Sequence, residues 1–90
     1  MGFIHTEEYL DEGDVVIVQC SHQCNVRLLD DHNFQSYQHN GQHKYFGGHF
    51  KMFPARIVVP HTGHWHVTID LGGGSANIRY SINYLKQRAA

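Results

Sequence analysis

His64-Trp65-His66-Val67-Thr68-Ile69-Asp70-Leu71, followed by Ile78-Arg79-Tyr80-Ser81-Ile82-Asn83-Tyr84, is the stretch that decides the fold. In the first part Trp65, Val67, Ile69 and Leu71 alternate with His64, His66, Thr68 and Asp70. In the second, Ile78, Tyr80, Ile82 and Tyr84 alternate with Arg79, Ser81 and Asn83. Successive side chains of a strand point to opposite faces, so a period of two with one apolar side predicts sheet. One face should rest on a core and the other should meet water. Gly72-Gly73-Gly74-Ser75 lies between the two runs and reads as the loop joining them into a final antiparallel pair, His64 to Leu71 with Asn77 to Leu85.

Working outward, strand signals recur at short spacing. Phe3 to Leu10 is one segment. Asp14 to Cys20 carries Val15-Val16-Ile17-Val18, a β-branched run that reads as a strand buried on both faces, entered through the turn sequence Asp11-Glu12-Gly13-Asp14. Cys24 to Leu29 follows after a short loop. Lys44 to Phe46 and His49 to Phe53 flank Gly47-Gly48 and suggest a hairpin, and Arg56 to Val59 runs between Pro54 and Pro60. One helix interrupts the series, from Asp31 to Gln38. Asp30 or Asp31 can cap it, Phe34 and Tyr37 share a side three residues apart, and Asn40-Gly41 stops it. The expectation is an all-β domain over residues 1–90: a small antiparallel β-sandwich of jelly-roll type, or a partly open barrel, of seven or eight strands with one short helix.

Composition narrows the function classes. Seven basic residues face eight acidic ones, so no net field draws the chain to phosphate backbones or anionic lipid. Neither nucleic acid nor membrane is expected as a partner, and no apolar run is long enough to span a bilayer. The N-terminal stretch has no signal-peptide pattern, which points to the cytoplasm and to reduced thiols at Cys20 and Cys24. Gly72-Gly73-Gly74-Ser75 is followed by a strand pattern and has no lysine, so it is not a phosphate loop.

Nine histidines are present, and they carry the candidate chemistry. His61, His64 and His66 fall in His-Thr-Gly-His-Trp-His. On a strand His64 and His66 project side by side, with Asp70 further along the same face, a donor set suited to zinc, iron or copper. Cys20-Ser21-His22-Gln23-Cys24 is a second cluster: Cys20, His22 and Cys24 share a face if the chain is extended, and the thiols approach one another if it turns. No second cysteine pair completes a structural zinc site, so both clusters also read as ordinary strand residues. Tyr45 stands apart from the other aromatics because it borders turns, where binding residues gather.

Two stretches resemble a known family. They are Gly13-Asp14-Val15-Val16-Ile17-Val18 with Cys24-Asn25-Val26-Arg27-Leu28-Leu29-Asp30-Asp31, and the run from Arg56 to Gly73 containing Val59-Pro60-His61-Thr62-Gly63-His64-Trp65-His66-Val67. The chain resembles a bacterial domain family of unknown function whose members stand alone or are attached to TIR-type signalling domains. The resemblance implies a sandwich-like β domain and transfers no functional residue.

No nucleophile–base–orienter set and no complete metal motif stands in the sequence. The reading is therefore a non-catalytic module that binds an unidentified ligand or protein, with no cofactor. His64, His66, Asp70 and Tyr45 are its candidate binding residues. The alternative is a small metal-binding protein using Cys20, His22, Cys24, His61, His64 and His66. A free strand edge also offers a route to a homodimer.

Overall fold

The computed structural model describes residues 3–71 and 78–86. Seven strands and one helix follow in order: β1 (Phe3–Leu10), β2 (Val15–Cys20), β3 (Cys24–Asp30), α1 (Asp31–Gln38), β4 (Phe46–Phe50), β5 (Ala55–Val58), β6 (Gly63–Asp70) and β7 (Tyr80–Leu85). They form a four-stranded sheet, β1-β6-β3-β4, and a three-stranded sheet, β5-β2-β7. All pairings are antiparallel. The two sheets face each other as an open sandwich.

The core follows from the alternation. Val16 and Val18 of β2, Val26 and Leu28 of β3, and Trp65, Val67 and Ile69 of β6 all point between the sheets and are fully or almost fully buried. Trp65 also satisfies its indole N–H, which donates to the His61 carbonyl at 3.0 Å. The turn before β2 is built as its sequence suggests. The Asp14 carboxylate accepts from the Asp11 N–H at 2.8 Å, Gly13 takes φ +90°, and the Asp14 N–H donates to the Asp11 carbonyl at 3.0 Å.

Four expectations are corrected. First, β6 and β7 do not form a hairpin. β6 lies between β1 and β3, while β7 pairs with β2 in the other sheet; adjacency in sequence is not adjacency in space when the connection crosses from sheet to sheet. The connecting Gly72-Gly73-Gly74-Ser75 and the residues 87–90 lie outside the described residues.

Second, Gly47-Gly48 is not a hairpin turn but runs inside β4, opposite Arg27 and Val26. Gly47 takes φ +108°, and a Cβ there would stand 2.3 Å from the Val26 carbonyl oxygen. The close approach of β4 to β3 requires glycine at that point.

Third, the run Val15–Val18 is buried on one face only. Val15 and Ile17 are half-buried on the outer face, where Val15 pairs with the exposed Val58 and Leu85. Fourth, the polar face of β6 is covered over its middle and stays open to solvent only at His64. Helix α1 lies across it, so His66 and Thr68 are buried.

Candidate metal centre

The outer face of the four-stranded sheet is a polar layer. The register puts His5, Glu7 and Phe3 of β1 beside His66, Thr68 and Asp70 of β6, with Asn25, Arg27 and Leu29 of β3 on the other flank. Helix α1 covers this layer through Phe34 and Tyr37, the pair three residues apart. Asp30 caps the helix by accepting the Asn33 N–H at 2.8 Å. That leaves Asp31 in the first turn, free to reach the sheet. Phe34 stacks on both His5 and His66 at 4.2 Å, and Phe3 meets Tyr37 edge-on at 5.0 Å. Burying the Phe34 ring contributes about 2 kcal/mol to holding the helix down.

Under the N-terminal half of the helix the polar side chains form one continuous chain of contacts. Asp31 Oδ1 meets His66 Nε2 at 2.6 Å and His64 Nδ1 at 2.8 Å. Behind them, His64 Nε2 meets Glu7 Oε1 at 2.9 Å and His66 Nδ1 meets His5 Nε2 at 2.9 Å. A carboxylate only accepts, so with Asp31 ionised both facing ring nitrogens carry protons. His64 is thus gripped by carboxylates at both nitrogens. The hydrogen bond that His64 donates to Asp31, helped by the charge of Glu7, raises its pKa above the ordinary histidine value. His5 moves the other way, lowered first by burial and then by the proximity of His66. Asp31 is held below the usual carboxylate range by its hydrogen bonds to His66 and His64.

Among the described residues, two sets bring ligand atoms within 4.8 Å of one another: Asp31, His64 and His66, and His5, Glu7 and His66. In the first set both imidazole nitrogens converge on one carboxylate oxygen. Ligand atoms on a tetrahedral zinc stand about 3.3 Å apart for bonds of about 2.0–2.1 Å. The observed 2.6 and 2.8 Å contacts therefore need to open by less than about 1 Å to admit an ion in place of the bridging protons. The nitrogens turned away from this point are already held, by Glu7 and by His5, as metal-ligating histidines usually are.

At the other end of the layer Asp70 has a different role. Its carboxylate pairs with the Arg27 guanidinium and accepts from Asn25 Nδ2 at 2.9 Å and from the Tyr37 hydroxyl at 2.8 Å. Burial and this bond to Asp70 push the Tyr37 pKa up. Arg27 also lies over the Tyr37 and Tyr45 rings, at 5.3 and 5.2 Å.

The candidates from sequence are therefore regrouped. His64 and His66 stand together, but their carboxylate is Asp31 of the helix, and Asp70 belongs to the arginine cluster. Tyr45 rests on Arg27 beside that cluster. His61 packs on Trp65, with ring centroids 4.8 Å apart, away from His64 and His66. Cys20 and Cys24 do come side by side. Burial, and then the neighbouring Cys20 thiol, push Cys24 up to about 12. His22 is not with them; its Nδ1 meets the Ser21 hydroxyl at 2.8 Å on the surface. His5, Glu7 and Asp31 join this cluster and were not among the candidates from sequence. The odd positions of β1 did carry a signal, since Phe3, His5, Glu7 and Tyr9 share one face, but nothing local says which strand they lie beside.

A family model described as "Domain of unknown function (DUF1883)" matches residues 1–88. The chain belongs to this family. No curated protein and no solved structure gives a match to it. Among the described residues no helix is long and apolar enough to cross a membrane.

Proposed function

We propose that this DUF1883 chain is a small non-catalytic binding module built around a transition-metal site, with zinc as occupant and Asp31, His64 and His66 as ligands. The carrying observation is the convergence of His64 Nδ1 and His66 Nε2 on Asp31 Oδ1, with Glu7 and His5 holding the opposite ring nitrogens. Imidazole nitrogens with a carboxylate oxygen suit zinc or iron(II). An arrangement in which His64 Nε2–H donates to Glu7 and His66 Nδ1–H donates to His5 orients both rings for coordination. Three protein ligands leave a position open for water or for a donor from whatever the module binds.

Loading the site replaces a protonated His64 by a neutral ligand, so a proton is released on binding. The family resemblance supports a setting in the bacterial cytoplasm beside TIR-type signalling domains, where metal loading would change the face that the module presents.

The test is elemental analysis of the purified chain, followed by cobalt(II) titration read by visible absorption. The expected result is close to a stoichiometric metal and intense absorption bands of a four-coordinate ion. Less than about a tenth of an equivalent, with none taken up on titration, contradicts the proposal, because a true site fills stoichiometrically.

A further inference from the structure

The loop between α1 and β4 forms a groove of about 750 Å³ that the metal centre does not use, lined by His32, Asn33, Gln42, His43, Lys44 and Tyr45 together with Gly41. Its size lies within the range of small-molecule sites. Its lining contains lysine, histidine and amide side chains and no Asp or Glu.

The walls are fixed before any ligand arrives. Asn33 Oδ1 accepts the Lys44 N–H at 2.8 Å, tying the loop to the helix, while the Asn33 amide nitrogen donates to Asp30. The Gly41 N–H donates to the Ser36 carbonyl at 2.7 Å. Asn40 turns the chain with φ +59°, a left-handed conformation that asparagine tolerates. His43 is held edge-on by Tyr37 and hydrogen-bonds through Nδ1 with the Gly41 carbonyl. Tyr45 is 43% exposed, yet its ring is kept in place by Arg27 at 5.2 Å and His43 at 5.7 Å. A rigid exposed ring beside a cluster of N–H donors is a preorganised surface for a planar group that carries an anion.

We infer that this groove binds a small phosphorylated ligand with a planar ring, of the mononucleotide class, the phosphate held by Lys44 with His32 and His43 and the ring laid against Tyr45. Lysine supplies the point charge that a phosphate needs, and a flat ring stacks on tyrosine with little regard to its substituents. The site is independent of metal, so it is tested on the whole chain in the presence of a chelator, and its failure leaves the metal reading untouched.

The experiment is an amide-resolved NMR titration with adenosine monophosphate, adenosine and inorganic phosphate. Adenosine monophosphate should perturb the amides of residues 41–45 with a dissociation constant below about 1 mM. Adenosine and phosphate alone should each bind at least about tenfold more weakly, since each keeps one half of the contacts. Lys44→Ala and Tyr45→Ala should each weaken the nucleotide at least about fivefold while leaving the rest of the spectrum in place. No perturbation in the groove, or phosphate alone binding as well as the nucleotide, overturns the inference.

Discussion

The two ends of the polar layer under helix α1 share a sheet face, a central strand and a lid, yet they are built on opposite principles. At the Asp70 end the charges are matched: the carboxylate is met by Arg27, Tyr37 and Asn25, and the guanidinium is also covered by aromatic rings. At the Asp31 end the partners are imidazoles, which hold their carboxylates through protons that they can exchange. The first arrangement locks helix to sheet. The second holds the helix just as closely through ring nitrogens, and it is here that the proposed metal site would lie. The same lid thus rests on a salt-bridged cluster at one end and on imidazole–carboxylate contacts at the other.

Breaking the locked end should cost most. Asp70→Ala strands Arg27 in a mostly covered position and should lower stability by about 3 kcal/mol, read by urea unfolding, while metal affinity in the folded protein stays unchanged. A loss under about 1 kcal/mol would mean that the pair is only a surface contact. Phe34→Ala removes the ring that covers both His5 and His66. It should cost about 2 kcal/mol and, because Asp31 rides on the same helix, should weaken metal binding as well. Phe34→Leu should restore most of the stability.

Smaller effects should appear in the titration of the metal-free protein. His64 should titrate above the ordinary histidine value of 6.5 and His5 below it, read from imidazole proton shifts. The signs have opposite consequences. The His64 contribution is fully present below its unfolded value and is lost as pH rises through its folded one. His5 favours the neutral ring in the folded state, so its cost appears as pH falls below 6.5. Asp31, with a depressed value, stabilises above the usual carboxylate range, and this is lost as pH falls through its folded pKa. Both histidines titrating together would erase the distinction between the gripped and the covered ring. Smallest of all should be the response of the cysteines: Cys24, pushed up to about 12, should react with iodoacetamide far more slowly than Cys20 in the native protein.

Much of the frame was readable in the sequence. The period-two run located β6 closely, the β-branched run located β2, short strand signals located β1 and β3, and the Phe34–Tyr37 spacing with an acidic cap located α1. What escaped was long-range. The partners of β6 are β1, whose residues pair across separations such as His5 to Thr68, and β3. No local pattern encodes that register. Gly47-Gly48 misled because a glycine pair serves a turn or a close backbone approach equally well, and only the Val26 carbonyl decides between them. His64 and His66 were legible as a pair because a strand guarantees it. Their carboxylate was not, because Asp31 reaches them only once α1 folds back across the sheet. Asp70 lies on the same face, but its carboxylate is taken up by Arg27, Asn25 and Tyr37.

The most direct test of the metal centre is calorimetric titration of zinc into chelator-stripped protein, comparing the unmodified chain with His66→Ala and Asp70→Asn. The unmodified chain should take up about one equivalent with a dissociation constant of about 1 μM or lower, and release a proton at mildly acidic pH. His66→Ala should lose at least about a hundredfold in affinity, and Asp70→Asn should bind as the unmodified chain does. Failure of the unmodified chain to bind zinc, or equal binding by His66→Ala, would contradict the assignment of Asp31, His64 and His66 as a metal site.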